Sequence, residues 1–273
     1  MNRGRHLYRQ KWGILFLGFM LVLTALSYLY TPYNPNQARV LERFEPPSRA
    51  HFFGTDHFGR DVLSRIMVGG RVSLLIGIGA VVMGSILGTA LGLVAGFRGG
   101  IGEEAIMRLS TALQAFPSIL LALLFATIWG PGIPVVLWSI AIGNIPSFLR
   151  LTRSQVLSIK KRPYIEAARA LGVSEWRIML RHVIPNLQDA LLVQFTVSLA
   201  GAILVEASLS YLGLGIHAPA PSWGRMLREA QNYASLAPWA LLTPGLFIAV
   251  TVIGFSLLGD TWIFRREDVA KRE

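Results

Sequence analysis

Two carboxylates stand in settings where a carboxylate must have a reason. Glu206 lies inside an apolar run, Leu187–Tyr211, near what would be its outer end. An ionisable group at that depth in lipid is costly, so it either hydrogen-bonds a neighbouring helix near the interface or lines a polar path across the membrane. Glu166 lies in Lys160–Asn186 (KKRPYIEAARALGVSEWRIMLRHVIPN), a basic, polar island between two long apolar stretches. That island reads as two short helices and a turn. The first covers about Tyr164–Leu171, where Ala167, Ala168 and Ala170 favour helix. Gly172 ends it in the left-handed conformation, Ser174 caps a second helix with Glu175 in its first turn, and Pro185 stops that helix. With eight Lys or Arg in or beside it, such a hairpin belongs in water, where a partner can dock on it.

Other chemistry is missing from the pattern. No G-x-x-x-x-G-K-[ST] occurs, so ATP is not held by a P-loop here. Gly213-Leu214-Gly215 lacks the strand-turn-helix setting of a dinucleotide site. No H-E-x-x-H and no catalytic or metal-ligating cluster can be assembled from spacing, so no catalytic, cofactor-binding or metal site is assigned. The five histidines, His6, His51, His57, His182 and His217, are scattered. There are no cysteines, which excludes thiol and disulfide chemistry.

The elements that must position Glu206 and Glu166 are membrane helices. Of the 273 residues, 53% are hydrophobic and only 15% charged, with a mean hydropathy of +0.50. That composition fits an all-α polytopic membrane protein. Six segments have the length to span: about Trp12–Tyr30, Val72–Phe97, Ala105–Trp129, Ile133–Leu151, Leu187–Tyr211 and Pro238–Phe264. The first follows Arg3, Arg5, Arg9 and Lys11 but has no small-x-small cleavage site, so it reads as a retained helix. Pro117 and Pro146 are expected to kink their spans.

The net charge of +11 is a matter of topology rather than nucleic acid binding. With the N-terminus inside, the inside segments hold 4, 2, 8 and 4 of the 26 Lys and Arg, and the outside segments hold 6 and 2. The bias places both termini and the Lys160–Asn186 hairpin inside. His6 and His182 are then inside, and His51, His57 and His217 outside. Asp189 and Asp260 fall near inner ends of their spans.

The long outer loop has internal organisation. Thr31–Pro35 breaks the first helix. Val62, Leu63, Ile66 and Met67 then share one helical face, with Asp61 and Arg65 spaced as an i,i+4 pair. This predicts a short helix along the membrane surface, either an ordinary one or one that docks an external partner, with Gly69-Gly70 turning the chain into the second span. In that span Ala80, Gly84, Gly88, Gly92 and Gly96 recur every fourth residue. The spacing lets another helix approach closely, in this chain or in a second subunit.

Glu166-Ala167-Ala168, then Gly172, then Ile184-Pro185 resemble the EAA loop of ABC importer permeases. His182 and Ile184 occupy the Ile and Leu positions of its general closing I-x-L-P. Arg181-His182-Val183-Ile184-Pro185-Asn186 is similar to the form found in the dipeptide/oligopeptide/nickel branch. Four further stretches resemble the second, C-type permease subunit of that branch: Pro32–Pro35, Phe53–Asp56 with Gly59–Asp61 and Ser64-Arg65, Glu206–Gly215, and Pro221–Gly224. The likeness runs nearly the whole chain in order. Departures are Thr111, where the family often has Asp six residues before the third-span proline, Tyr211 for a common Phe, and a different tail over Trp262–Glu273.

The resemblance implies a type I ABC importer permease fold with a cytoplasmic coupling-helix hairpin, in the inner membrane of a prokaryote. It implies an N-terminal helix with outer loop over 1–70, a five-helix core over 71–265 and a cytoplasmic tail over 266–273. Its partners would be a second permease subunit, two ATPase subunits that bind ATP and Mg, an external substrate-binding protein and lipid. Glu166, Ala167, Ala168, Gly172 and Pro185 would form the ATPase-coupling element, and Glu206 remains a candidate for the path. The cargo would be dipeptides, oligopeptides, glutathione, nickel or a metal chelate, with peptides favoured because no His or acid cluster is present. A self-sufficient secondary carrier is disfavoured by the scarcity of intramembrane charge, and a membrane-embedded enzyme by the missing catalytic cluster.

Overall fold

The computed structural model describes the backbone of residues 3–270 and the side chains of residues 13–259. The predicted roles of His6, Asp260 and the tail after Trp262 lie outside the described side chains. Among the described residues the chain is helical, with one isolated bridge, Thr55 to Asp61. The order is α1 (Arg3–Leu26), α2 (Val62–Arg98), α3 (Gly100–Ala115), α4 (Ser118–Trp129), α5 (Ile133–Ile159), α6 (Pro163–Ala170), α7 (Glu175–Ile178), a π segment (Met179–Val183), α8 (Ile184–Tyr211), α9 (Trp223–Ala230) and α10 (Pro238–Ala270).

Four continuous helical stretches are long and apolar enough to cross a membrane: Val62–Arg98, Ile133–Ile159, Glu175–Tyr211 and Pro238–Gly259. The third predicted span is different. Pro117 does not merely kink it; α3 and α4 meet at 85° and form a fifth crossing only if taken together. Pro117 has no N–H to offer, and the residue before it, Phe116, is extended at φ −91° and ψ 115°. Pro146, in contrast, sits inside an unbroken α5. The described apolar part of the first helix, Gly13–Leu26, is shorter than a full crossing.

The small-residue stripe of α2 packs on α5 of the same chain. A Cβ added to Gly84 would lie 2.7 Å from the Ala141 carbonyl oxygen, at Gly88 2.6 Å from that of Ile145, and at Gly92 2.6 Å from that of Leu149. Gly96 meets the Val156 side chain. Backbone thus lies almost on backbone over about two turns, and the stripe is spent within this subunit. Elsewhere in the bundle, α1 packs on α10 where Gly254 faces Leu17 and the Gly13 carbonyl.

No surface helix precedes the second span. The helix is continuous from Val62 to Arg98, and Gly69 and Gly70 lie inside it rather than at a turn. They let α9 approach: Trp223, almost fully buried, covers both, and its indole Nε1 donates to the Ile66 carbonyl at 3.0 Å. Val62, Ile66 and Met67 are accordingly buried in the protein instead of facing lipid.

The predicted Asp61–Arg65 pair does not form. Asp61 caps α2, accepting from the Ser64 amide at 2.8 Å and its hydroxyl at 2.7 Å, and its other oxygen meets His51 Nδ1 at 2.9 Å. Arg65, only 1% exposed, reaches Glu229 on α9 at 2.9 Å. Glu229 also accepts from Arg60 at 2.6 Å and Arg225 at 2.7 Å, and Arg60 in turn holds Asp56 at 2.7 Å. One carboxylate therefore fastens the loop before α2, the start of α2 and α9 together.

Burial opposes ionisation of Glu229, but Arg65, Arg225 and Arg60 outweigh it and hold its carboxyl below the ordinary 4.5. Burial also lowers the pKa of neighbouring His57, with Arg60 and Arg65 acting in the same direction against Asp56 and Glu229.

Two outcomes follow from this packing. Gly88→Leu, which drives a side chain into the α5 backbone, should cost about 1–3 kcal/mol or prevent folding, while Gly18→Ala, with nothing within 4 Å, should be neutral; thermal unfolding in detergent reads the difference. The Glu229 network contributes fully above pH 4.5 and is lost as pH falls below it through the depressed folded value. Acid should therefore lower the unfolding temperature of the native chain, and Glu229→Gln should remove that part of the pH dependence while lowering stability at neutral pH.

Candidate functional site

The Lys160–Asn186 hairpin has the predicted form, shifted by one residue at the start. Arg162 is extended, Pro163 occupies the first turn of α6, and the helix ends at Ala170. Gly172 follows at φ +76°, with open space where a Cβ would go. The constraint at Gly172 is thus backbone conformation and not crowding. Ser174 caps α7, accepting from the Arg177 amide, as its position predicted.

Pro185 does not stop the second helix. The chain runs helically from Glu175 to Tyr211, and Pro185 lies in the first turn of α8. The π segment Met179–Val183 explains how. Its wider turn carries the amide of Ile184 back to the Met179 carbonyl, five residues earlier. A proline ring would otherwise clash with the preceding turn and leave an α-helical bond unmade. The hairpin is therefore joined rigidly to α8.

A small core seats the hairpin on the bundle. Ile165 of α6 and Ile178 of α7 are fully buried with Val183 and Leu187, against Leu93 of α2 and Val156 and Ile159 of α5. Arg169 donates to both oxygens of Glu175, at 2.8 and 3.2 Å, and closes the hairpin across its open side. Lys160 Nζ donates to the Gly96 and Phe97 carbonyls at 3.1 and 3.0 Å, placing a cation at the C-terminal end of α2.

The outer surface of the hairpin is bare. Glu166 and Ala167 are exposed, Ala168 is half-buried, and Pro185 is exposed. No side-chain hydrogen bond or ion pair engages Glu166 among the described residues. Around it stand large apolar groups, with Leu171 84% and Trp176 68% exposed and Leu180 likewise open. A carboxylate among uncovered apolar side chains, on a hairpin seated by its own core, is a docking surface in chemical terms. Trp176 and Leu180 were absent from the predicted set because they lie outside the E-A-A spacing; their apolar character in a basic island was the available signal.

Glu206 is elsewhere. It is fully buried, 0% exposed, on the face of α8 toward α2. Ser210 donates to its Oε1 at 2.7 Å, Ser73 of α2 lies beside it, and its Oε2 is buried without a hydrogen-bond partner. Ser73 also accepts from the Trp223 amide at 3.3 Å, which links α2, α8 and α9 at one point. Glu206 lines neither of the two large apolar grooves. One, of about 580 Å³, lies between α2, α5 and the N-terminal half of α8 around Leu191 and Phe195. The other, about 500 Å³, lies between the C-terminal half of α8 and α10 around Tyr211 and Leu227. Glu229 was not predicted as a residue of consequence, since its partners lie 164 and 169 residues earlier in the chain.

Comparison with known proteins joins these features. The sequence profile described as "Binding-protein-dependent transport system inner membrane component" matches residues 88–265, which include α5, the hairpin and α8. A dipeptide transport system permease protein DppC of Alkalihalophilus pseudofirmus is 43% identical over 90% of this chain and 79% of its own length. A glutathione transport system permease protein GsiD of Pectobacterium atrosepticum is 41% identical over 94% of this chain and 86% of its own. The oligopeptide transport system permease protein OppC of Bacillus subtilis is 35% identical over 91% and 81%. Inward-facing structures of the MetNI methionine ABC transporter share the fold, with TM-scores of 0.58 and 0.60 over 71% and 72% of this chain and 92% and 94% of theirs, at 18% identity. With the profile spanning most of the helical bundle and relatives alike over nearly all of it, this chain belongs to the family of binding-protein-dependent transport system inner membrane components.

Proposed function

We propose that this chain is one permease subunit of an ATP-driven importer that carries di- and oligopeptides, glutathione included, across the cytoplasmic membrane. The relatives named for dipeptide, glutathione and oligopeptide transport support the cargo class. In this reading a second permease completes the path. Two separate ATPase subunits bind and hydrolyse ATP with Mg, and an external binding protein delivers the peptide. This chain hydrolyses nothing itself. Both termini face the cytoplasm, and so does the hairpin.

The observation that carries the reading is a rigid hairpin with a bare outer surface. Glu166 and Ala167 enter a groove on the ATPase, with Leu171 and Trp176 flanking them. Gly172 sets the bend that presents them, and Ala168 keeps the inner side of α6 thin enough to sit on the bundle. When the ATPases close on ATP, the push reaches Ile165 and Ile178. It then passes through the π segment at Pro185 into α8, which moves as a rigid body. ATP favours one of two arrangements of the helices only to the extent that the ATPases hold the hairpin better in that arrangement.

Glu206 has a supporting part here. It fixes α8 against α2 and α9 beneath the outer entrance and reaches the path only through the position of α8.

Glu166→Lys and Gly172→Val are expected to abolish ATP-driven peptide uptake by the assembled transporter while this chain still inserts and assembles. Normal uptake by either variant would remove the hairpin from the coupling route. Glu206→Gln, which keeps an acceptor for Ser210, should leave uptake within about twofold and cost under ~1 kcal/mol of stability. A change in which peptides are carried would instead put Glu206 on the path.

A further inference from the structure

The groove of about 500 Å³ between the C-terminal half of α8 and the N-terminal half of α10 is walled by apolar side chains. Leu204, Ala207 and Tyr211 of α8, Ile248 and Val252 of α10 and Leu227 of α9 line it. It is open along one side, where Leu204 is 53% and Tyr211 38% exposed and Ser208 and Ala249 are exposed as well. From Leu204 to Leu212 the lining follows α8 for about 12 Å. Both helices belong to stretches apolar enough to cross a membrane, so the open side meets hydrocarbon or another membrane helix.

The polar groups gather at one end of this groove. Ser208 is satisfied by its own helix, its hydroxyl donating to the Leu204 carbonyl at 2.9 Å. The Tyr211 hydroxyl donates to Gln231 Oε1, just past the end of α9. Beside them Arg228 of α9 is exposed, and it lies so close against Gly213 that a Cβ on that glycine would overlap its Nη1. Gly213 follows directly on Leu212 of the groove wall, which puts the guanidinium at the mouth. The last turn of α8 has no basic residue of its own, and Arg228 brings a cation to that carbonyl end from another helix. None of its five donors meets an acceptor among the described residues. The carboxylate next to it in the chain, Glu229, is engaged by Arg60, Arg65 and Arg225.

An apolar slot with one unpaired cation at its mouth is complementary to an amphipathic anion. The planar guanidinium fork matches a phosphate, and a hydrocarbon chain matches the walls. A membrane helix of another subunit would cover the walls too, but an apolar helix has nothing that answers the cation at the rim. We propose that this groove holds one acyl chain of a phospholipid and that Arg228 binds its phosphate. Tyr211 then stands at the boundary, with its ring along the chain and its hydroxyl in the polar layer, as aromatic side chains do at a membrane surface. The lipid joins α8, α9 and α10 at their common end, and its site is independent of the cargo.

The protein is purified in detergent with the subunits that accompany it, and native mass spectrometry counts retained lipid. The two probes are phosphatidylglycerol and a diacylglycerol with the same chains but no phosphate. Arg228→Gln should lower retention of phosphatidylglycerol by about tenfold, the loss of one charge-assisted contact, and leave diacylglycerol unchanged. Ala249→Trp, which fills the groove from its exposed side, should lower retention of both, and Ser208→Trp should do the same from the opposite wall. Equal loss of both probes in Arg228→Gln, or no loss of either, would overturn the phosphate assignment. Unchanged retention in both tryptophan variants would overturn the acyl-chain assignment. Loss of an accompanying membrane subunit from the tryptophan variants, seen in the same spectra, would make the groove a protein–protein surface and overturn the proposal.

Discussion

The contact between α2 and α5 is the constraint on which the rest of this protein depends. Lipid is as apolar as a leucine side chain, so helices in a membrane gain little by hiding apolar surface from it. They associate by fitting closely. Gly84, Gly88, Gly92 and Gly96 remove every side chain from one line of α2, and the carbonyls of α5 fill the space. The same contact supplies the floor on which the inner hairpin sits, since Leu93 of α2 and Val156 and Ile159 of α5 form half of its seat.

From that centre the two ends of the molecule are built by different physics. The hairpin end is seated by apolar burial and shaped by backbone: two isoleucines pointing in, a left-handed glycine and a π turn that admits a proline without breaking the helix. It is stiff, and its surface is bare. The other end is held by charge. His51, Asp56, Asp61, Arg60, Arg65, Arg225 and Glu229 knit the long loop to α2 and α9. Such a network is costly to desolvate and is sustained only when every member is paired. Its geometry satisfies that condition around Glu229, whose two oxygens accept from three arginines.

Glu206 lies between these regimes and illustrates how depth misleads. By position in the sequence it is the deepest carboxylate of the spans. In three dimensions it is a buried strut between α8 and α2, with Ser210 and Ser73 as its company. Arg150, counted in the sequence only as one positive charge on the inner side, has a buried Nε without a hydrogen-bond partner, as Glu206 has an Oε2. Chemical readiness is set by what surrounds a side chain, and one residue's surroundings are assembled from α3 and α5 together.

The sequence by itself determined what local rules govern. Apolar length marked the spans, the Lys and Arg bias supported an inner hairpin, Gly172 and Ser174 marked its turn and cap, and the four-residue glycine spacing announced a close helix contact. These are properties of neighbours within one or two turns, which spacing encodes directly. The tertiary structure decided which helix the glycines meet, that Gly69 and Gly70 sit inside a straight helix beneath Trp223, that Pro117 breaks a span at 85° while Pro146 leaves one whole, and that Glu229 ties together residues more than 160 positions away. Each of those outcomes turns on an energy shared between segments distant in the chain. A proline's missing hydrogen bond or a carboxylate's desolvation is compensated or not according to what packs beside it, and no window of sequence contains that neighbour.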